Sequence, residues 1–252
     1  MNTESNSSSL GGRQGGGKKA IFCWSGGKDS AFALYTAFKE KEYEITALFT
    51  TINENFKRVS MHGVREELVE KQAKSIGLPW YKMYVREGSN TEYERNMEAF
   101  LKEQKAKGVE YVIFGDIFLE DLRVYRDNNL AKVGMKGVYP LWKKDTTLLA
   151  HDFIKNGFKT ILCCTSDAYL GEKEVGELYT EDFLKHLPAN VDPCGENGEF
   201  HSFCFDGPIY KTPIHFTKGE KVYKPLEVKM TKDHPPIKGP MAKGFWFCEL
   251  SH

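Results

Sequence analysis

Short apolar segments alternate with amphipathic segments up to about residue 165. Residues 20–24 form an apolar run typical of a buried parallel strand, and the residues that follow place Leu34 and Phe38 one helical turn apart. The same alternation predicts further strands at residues 45–50, 80–85, 111–114 and 160–164. This spacing predicts an α/β fold, with a parallel five-stranded sheet and helices on both faces. Such sheets bind ligands at the carboxyl ends of their strands.

The alternation then fades, and glycine, proline and charged residues become frequent. Shorter strands are predicted at residues 200–205, 221–228 and 245–250. We therefore expect a smaller α+β domain packed against the first domain. The expected division is a tail over residues 1–18, an N-terminal α/β domain over 19–145 and a C-terminal domain over 146–252.

The expected tail is mostly serine, asparagine and glycine, with almost no apolar side chain. A segment of this composition cannot offset its ordering entropy by burial, so it is predicted to be disordered. Gly12, Gly17 and Lys18 nearly complete the nucleotide-binding motif G-x-x-x-x-G-K-[ST]. Lys19 stands where a hydroxyl residue is required, and no strand precedes the glycines, so no phosphate site is predicted here.

Charge and composition narrow the class of protein. The 35 Lys and Arg residues balance 35 Asp and Glu residues, which argues against a general nucleic-acid binder but leaves a local basic groove open. No apolar run approaches the ~20 residues that a membrane helix needs. The six cysteines form no C-x-x-C pair, so no structural zinc site is expected. The tail lacks the apolar stretch of a secretion signal, so a cytoplasmic protein with reduced thiols is expected.

The strongest chemical signal follows the first predicted strand, at residues 25–30, which read SGGKDS. Two glycines allow a tight turn whose amides point into one concavity, and the following helix directs its positive end there. Lys28 adds a cation, and Asp29 can cap the helix or hold magnesium. Strand, glycine turn and helix together predict a site for nucleotide phosphates. The alternative is an ordinary strand-to-helix turn that contains two glycines.

The SGGKDS segment resembles the S-G-G-x-D-S loop of the PP-loop ATP pyrophosphatases, and so implies an adenine nucleotide alpha hydrolase-like fold. Members of that superfamily cleave ATP between the α and β phosphates, adenylylate an acceptor oxygen and release AMP when a nucleophile attacks. The resemblance implies that the loop grips the pyrophosphate, that adenine lies near the end of the second strand, and that Mg²⁺ is a cofactor with Asp29 as candidate ligand. The implied ATP-binding residues are Ser25, Gly26, Gly27, Lys28, Asp29, Ser30, Phe49, Thr50 and Gly115.

Four further segments resemble one particular family within this superfamily. Residues 61–63 (MHG), 115–117 (GDI), 140–142 (PLW) and 192–202 (DPCGENGEFHS) resemble the diphthine–ammonia ligase family, and the last segment is the most selective. In that family ATP adenylylates the carboxylate of diphthine, a modified histidine of elongation factor 2, and ammonia then yields the amide, AMP and pyrophosphate. The implied partners are ATP, ammonia and elongation factor 2, and a homodimer is also considered.

Residues 115–123 and 244–248 look more like bacterial members of this family. Bacteria have no diphthamide, so the chemistry can carry over while the substrate does not. The resemblance therefore implies diphthine or an unidentified small carboxylate as the acid.

The resemblance and the positions along the chain select the remaining candidates. The candidate catalytic residues are Lys28, Asp29, Glu196, Glu199 and His201. The candidate substrate-binding residues are His62, Asp116, Arg123, Asn197, Gly198 and Ser202. Carboxylates and an imidazole in one loop could bind ammonium, take its proton or hold magnesium.

Simpler interpretations of these residues stay open. Asp116 could cap a helix, and Arg123 with Arg126 could form a solvated basic face instead of a clamp for a carboxylate or phosphate. Residues 196–201 could form a polar turn, and His62 could be an exposed histidine.

Two other functions also stay open. A tRNA-modifying thiolase would need a placed pair of catalytic cysteines and a basic face for RNA, whereas Cys163 and Cys164 lie in an apolar strand. A non-enzymatic ATP-binding sensor would not need the acidic and histidine-containing loop. If the protein is an amide ligase, we expect residues 192–202 to fold over the carboxyl edge of the sheet and to face the SGGKDS loop.

Overall fold

The computed structural model describes residues 17–60, 62–86, 90–226 and 242–252. The predicted tail up to residue 16, Met61 of the MHG segment and the end of the strand predicted at 221–228 lie outside the described residues. In chain order the elements are β1 (Lys18–Cys23), α1 (Lys28–Glu40), β2 (Tyr43–Asn53), β3 (Arg58–Val59), α2 (Glu66–Ile76), β4 (Trp80–Val85), α3 (Asn90–Ala106), β5 (Tyr111–Ile113), α4 (Glu120–Lys132), β6 (Lys136–Val138), α5 (Thr146–Lys155), β7 (Lys159–Ser166), α6 (Glu181–Lys185), β8 (Phe200–Asp206), β9 (Thr217–Pro225) and β10 (Gly244–Ser251). Within the described ranges, no helix has the length and hydropathy to cross a membrane.

Five parallel strands form the first sheet in the order β4-β2-β1-β5-β6, and the short β3 pairs antiparallel with the end of β2. Helices cover both faces. On one face α1 and α2 bury Leu34 and Leu68, and on the other face α3 and α4 bury Leu101 and Leu130. The predicted five-stranded parallel sheet with helices on both faces is confirmed.

The strand order of this sheet reverses at β1. From β1 the chain moves outward to β2 and β4, and it later returns to the other side of β1 as β5 and β6. Open sheets of this kind have a crevice at the carboxyl ends of the strands on either side of the reversal. That crevice lies between the segments that follow β1 and β5, where residues 25–30 and Gly115 are found.

The fifth parallel strand is not the one that the sequence predicted. Residues 160–164 belong to β7, which pairs antiparallel with β8 and β10 in the second sheet, and the fifth parallel strand is β6. A continuous apolar run indicates burial on both faces, and β7 is buried, but the run does not reveal which sheet holds the strand. β6 has only three residues and too little pattern to be predicted.

The second sheet is antiparallel, with strand order β8-β7-β10-β9. It contains the strands predicted at 200–205 and 245–250, and β9 begins already at Thr217. Ile161 of β7 and Phe203 of β8 share one core with Phe32 of α1. The expected smaller α+β domain is confirmed, and it packs directly on the helix that follows the SGGKDS loop.

Candidate functional site

Residues 25–30, hereafter the phosphate loop, connect β1 to α1 at the crevice. Gly26 has a φ of 81°, a left-handed conformation that the absence of a side chain permits. The hydroxyl of Ser25 accepts the Gly27 amide at 3.3 Å and lies 3.1 Å from the hydroxyl of Ser30. These contacts close the turn, and α1 begins directly after Gly27 with its positive end at the loop.

Close packing requires glycine at two positions of the site. A Cβ atom on Gly115 would lie 2.9 Å from the backbone nitrogen of Ser30 and 3.1 Å from the carbonyl carbon of Asp29. A Cβ atom on Gly27 would lie 2.9 Å from Cε1 of His62. The end of β5 therefore presses on the first turn of α1, and Gly115 lies against the phosphate loop.

Residues 192–202 fold against the phosphate loop. The hydroxyl of Ser202 accepts the Lys28 amide at 3.2 Å, and the Lys28 ammonium donates to the carbonyl of Cys194. In the strand that follows, the Cys204 amide donates to the carbonyl of Gly26 at 2.9 Å. The prediction that this segment faces the phosphate loop is confirmed.

The ammonium group of Lys28 is buried in this contact. The side chain is 3% exposed, and the ammonium also donates to the Asp29 carboxylate. Burial alone would lower the pKa of Lys28, but the charge of Asp29 helps to raise it above its ordinary value. Lys28 is therefore a fixed cation that joins the phosphate loop to the 192–202 segment.

Glu196 brings a carboxylate to the crevice. Its Oε2 accepts the amide of Ile117, which follows β5, at 3.3 Å. Burial and the charges of Asp29 and Asp116 raise the pKa of Glu196 to about 8, against the opposing charge of Lys28. A carboxyl group that titrates in this range is suited to accept or donate a proton near neutral pH.

Glu199 is fully buried, and its side-chain hydrogen bonds lie within its own segment. Its Oε1 accepts the Asp192 amide at 2.9 Å and the Asn197 side-chain amide at 3.0 Å, and its Oε2 accepts the Asn197 backbone amide at 2.8 Å. Gly198, with a φ of 82°, completes the turn. The contacts of Glu199 with Asn197 and the turn at Gly198 hold the shape of the segment that presents Glu196, and the catalytic and substrate-binding roles of these residues stay predictions.

The rings of His62 and His201 pack against each other beside Gly27, with centroids 4.6 Å apart and planes tilted by 34°. Burial and the neighbouring His62 lower the pKa of His201 to about 3, and burial also lowers the pKa of His62. Both imidazoles are therefore neutral near pH 7. Among the described residues, Nδ1 of His62 has no hydrogen-bond partner. His62 is thus packed on the loop and is not an exposed histidine.

The two arginines of α4 have different partners. Nε of Arg126 lies 3.2 Å from Oδ2 of Asp116, an ion pair without hydrogen-bond alignment. Burial raises the pKa of Asp116, and Arg126 opposes that rise. The Arg123 guanidinium lies 4.8 Å from the Tyr139 ring and 4.5 Å from the Trp142 ring. Arg126 therefore lies at the crevice beside Asp116, whereas Arg123 lies between the Tyr139 and Trp142 rings and pairs with Asp127 at 3.5 Å.

A cavity of about 380 Å³ lies beside the crevice, between the sheet and helices α3 and α4. Its lining includes Cys23, Phe49, Tyr93, Phe114 and Arg126. Thr50, the other residue predicted near adenine, is buried and donates its hydroxyl to the Trp24 carbonyl at 2.7 Å. Phe49 therefore faces a space large enough for a small molecule, whereas Thr50 fixes the backbone after β1.

One residue of the site was not predicted from the sequence. Gln72 of α2 donates to the carbonyl of Gly26 in the phosphate loop at 2.9 Å. It follows Leu68 and Val69 at helical spacing, so it stands on the apolar face of its helix. A polar residue on an otherwise apolar helix face is the signal that could have identified it.

A doubly wound parallel sheet with an SGGKDS loop at its crevice defines a nucleotide-binding protein of the PP-loop class. Two family models match the chain: the diphthamide synthase N-terminal domain over residues 18–137 and the diphthamide synthase C-terminal domain over residues 145–232. The chain therefore belongs to the diphthamide synthase family, and the family predicted from the sequence is confirmed.

Three relatives carry the name diphthine–ammonia ligase. The protein of Schizosaccharomyces pombe is 27% identical over 81% of this chain, which spans only 37% of that relative. The protein of Danio rerio is 26% identical over 79% of this chain and 86% of its own length. The protein of Rattus norvegicus is 24% identical over 79% of this chain and 82% of its own length. These names agree with the ligase predicted from the sequence.

Proposed function

We propose that this protein is an ATP-dependent ligase that adenylylates a carboxylate, diphthine or a related acid, and transfers ammonia to it, releasing AMP and pyrophosphate. The observation that carries the proposal is the contact of residues 192–202 with the phosphate loop. This contact brings Glu196 close enough to Asp29 for the charge of Asp29, together with burial, to raise the pKa of Glu196. The names of the relatives support the same reaction. Activation and amine transfer must occur in one place, because positioning supplies much of the rate.

ATP fits with its phosphates on the phosphate loop and its nucleoside in the cavity between α3 and α4. The glycine turn and the positive end of α1 favour the phosphates. Cys23 lines the cavity and Ser25 begins the loop, so both spaces start at the end of β1. A single nucleotide can therefore occupy the two together, with its base against apolar and aromatic side chains such as Phe49.

The crevice also has the chemistry of a magnesium site. Mg²⁺ prefers oxygen ligands and binds ATP sites through one or two carboxylates and the phosphates. Asp29 would hold the ion, and its charge already contributes to the raised pKa values of Glu196 and Asp116 alongside their burial. A bound Mg²⁺ would neutralise part of the phosphate charge.

We assign to Glu196 the role of accepting the proton that ammonia loses as it attacks the acyl carbon. A carboxylate whose conjugate acid has a pKa of about 8 is a much stronger base than an ordinary glutamate. His201, with a pKa of about 3, is a weak base, and we assign it to packing with His62 against the loop. Lys28 keeps the two segments together and offsets negative charge.

The proposed reaction has two displacement steps. An oxygen of the acid attacks the α phosphorus of ATP, the bond from that phosphorus to the bridging oxygen breaks, and pyrophosphate leaves. The nitrogen of ammonia then attacks the acyl carbon, the carbon–nitrogen bond forms, and the bond to the AMP oxygen breaks. The proton that nitrogen loses goes to Glu196. AMP is a good leaving group, so the adenylate splits one difficult step into two easier ones.

The two parts of the chain divide this work. We assign ATP binding to residues 19–145 and binding of the acid and the amine mainly to residues 146–252, which supply Glu196. Elongation factor 2 is the expected protein acceptor if the acid is diphthine, and a small carboxylate is the alternative. A cytoplasmic location and a homodimer stay predictions.

A thiol-transferring enzyme on the same fold is less well supported. Cys163 and Cys164 lie buried in β7. Burial raises the pKa of Cys164 to about 12 and raises that of Cys163 well above its ordinary value. Cys194, beside the phosphate loop, is also buried and has a pKa of about 12. Thiols in this state are not nucleophiles near neutral pH.

Incubation with ATP, Mg²⁺, ammonium and the diphthine form of elongation factor 2 tests the proposal. We expect AMP and pyrophosphate in amounts equal to the amide formed. ADP and phosphate as the main products would contradict it. A panel of small carboxylates in place of the protein acceptor separates the type of reaction from the identity of the acid.

A further inference from the structure

Gln72 lies at the centre of a buried hydrogen-bond network that joins three parts of the site. It belongs to α2 and is fully buried. Its Oε1 accepts the indole N–H of Trp24 at 3.0 Å. Its Nε2 donates to the carbonyls of Gly26 at 2.9 Å and of Cys204 at 2.6 Å. One side-chain amide thus connects the end of β1, the phosphate loop and β8.

The three partners require an amide at this position and fix its orientation. A glutamine side chain has two N–H donors on one terminal atom and an acceptor on the other. The reversed orientation would set Oε1 against two carbonyl oxygens and the NH₂ group against the Trp24 N–H. A glutamate could accept from Trp24 but could not donate to the carbonyls, and a methionine could do neither.

Gly26 is the residue of the phosphate loop that this amide holds. A Cβ atom on Gly26 would lie only 2.7 Å from Oε1 of Gln72. The Gly26 carbonyl also accepts the Cys204 amide at 2.9 Å, so two donors hold it from the interior. Because the peptide bond is planar and trans, fixing this carbonyl turns the N–H of Gly27 to the opposite side, where it donates to the Ser25 hydroxyl at 3.3 Å.

We propose that Gln72 is a positioning residue that fixes the Gly26–Gly27 peptide, and with it the shape of the phosphate loop, and thereby sets the affinity for the β and γ phosphates of ATP. Gln72 acts through Gly26 and does not touch the nucleotide. The inference rests on the proposed function, since it takes residues 25–30 as the phosphate site.

The variant Gln72→Met deprives the Trp24 N–H of its amide acceptor, but it is expected to fold because both carbonyls keep another donor. The Gly26 carbonyl keeps the Cys204 amide, and the Cys204 carbonyl keeps the hydroxyl of Tyr210 at 3.1 Å. Methionine also has a similar length and volume. Trp24→Phe is a second variant that removes the donor that orients the amide, together with part of a buried ring, and leaves Gln72 in place. Gln104→Met is the matched control, since Gln104 is also buried but lies in α3.

Titration calorimetry of the full-length chain with MgATP and with AMP tests the proposal, because AMP lacks the β and γ phosphates. We expect Gln72→Met to bind MgATP at least tenfold more weakly and AMP within twofold of the wild type. Trp24→Phe should show a smaller loss in the same direction, and Gln104→Met should change neither affinity. A purely structural role would change both affinities together or neither.

Unchanged MgATP binding by Gln72→Met, or equal loss of MgATP and AMP binding, would overturn the positioning role and leave the proposed function intact. If Gln72→Met does not fold, the selective loss must appear in Trp24→Phe, and its absence there overturns the role. A wild-type chain that binds no MgATP would overturn both the proposed function and this inference.

Discussion

Glu196 and Glu199 lie in different environments although both were predicted to be catalytic. Glu199 is fully buried and accepts three N–H groups of its own segment. Glu196 accepts one longer bond from Ile117, and burial and the charge of Asp29 raise its pKa. Glu199 therefore holds the segment together through its hydrogen bonds, whereas Glu196 is the carboxyl group that meets the crevice.

Glu199→Gln is expected to destabilise the protein by about 1–3 kcal/mol, because an NH₂ group would replace an acceptor that faces an N–H group. Glu196→Gln should not lower the free energy of unfolding, because the raised pKa of Glu196 means that folding already disfavours its charged form near neutral pH. It should slow amide formation by about 10²- to 10⁴-fold, since it removes the base. Urea unfolding and product assays on both variants check this prediction. Equal stability losses, or full activity of Glu196→Gln, would contradict it.

His201 links the stability of the protein to pH. Its pKa of about 3 in the folded chain lies below its ordinary value of 6.5. Between these values the unfolded chain binds a proton that the folded chain excludes, so the free energy of unfolding falls as the pH drops. This residue alone contributes a slope of up to about 1.4 kcal/mol per pH unit.

His201→Asn should therefore lose less stability between pH 7 and pH 5 than the wild type, as measured by urea unfolding at each pH. His62 acts in the same direction and keeps part of the slope in the variant. The control is His186→Asn, because the His186 side chain is 77% exposed and should leave the wild-type slope unchanged. If the free energy of unfolding fell equally with pH in the wild type and in His201→Asn, burial would not be what keeps His201 neutral.

At the scale of strands and helices, the sequence pattern predicted the elements whose formation depends on residues close together in the chain. The apolar runs of β1 and β2 and the apolar stripe of α2 were long enough to be recognised. The pairing of β7 with β8 and β10 depends on residues far along the chain, so its apolar run could not assign it to the second sheet. Gln72 was missed for the same reason, since its partners Trp24 and Cys204 are distant in sequence.

Gly115 couples two of these elements, β5 and α1. Gly115→Ala would place a Cβ atom 2.9 Å from a backbone atom of Ser30, so α1 must shift at the phosphate loop. We expect a loss of about 1–3 kcal/mol in the free energy of unfolding. We also expect a higher KM for ATP, because the loop amides move with α1. Thermal unfolding and steady-state kinetics provide the measurements.

The control for this substitution is Gly171→Ala. The nearest neighbour of a Cβ atom there is Oε2 of Glu174, at 3.5 Å, which is an ordinary contact. This variant should retain both the stability and the KM of the wild type. An unchanged KM in Gly115→Ala would mean that the first turn of α1 does not position the phosphates.

At the scale of the whole molecule, the two sheets share one core. Phe32 of α1 packs with Ile161 and Phe203 of the second sheet in the same cluster that contains Phe22 of β1. Glu249 of β10 forms ion pairs with Arg58, and with Arg65 at 3.3 Å, both of which lie near the first sheet. The N-terminal family model ends at residue 137 and the C-terminal family model begins at residue 145. The same hydrophobic core nevertheless contains residues from both sides of this boundary.

This shared core predicts that a fragment ending at residue 145 does not fold alone. Truncation there would expose the face of α1 that contacts β8 and remove Phe153 and Phe158 from Phe32, and each large apolar side chain returned to water costs about 1.5–3 kcal/mol. A few such losses match the ~5–15 kcal/mol by which a domain is stable. The full-length chain should accordingly unfold in one transition, with coincident curves by circular dichroism and tryptophan fluorescence. A fragment that unfolds cooperatively and binds MgATP would show instead that residues 19–145 are an independent domain, as the sequence alone suggested.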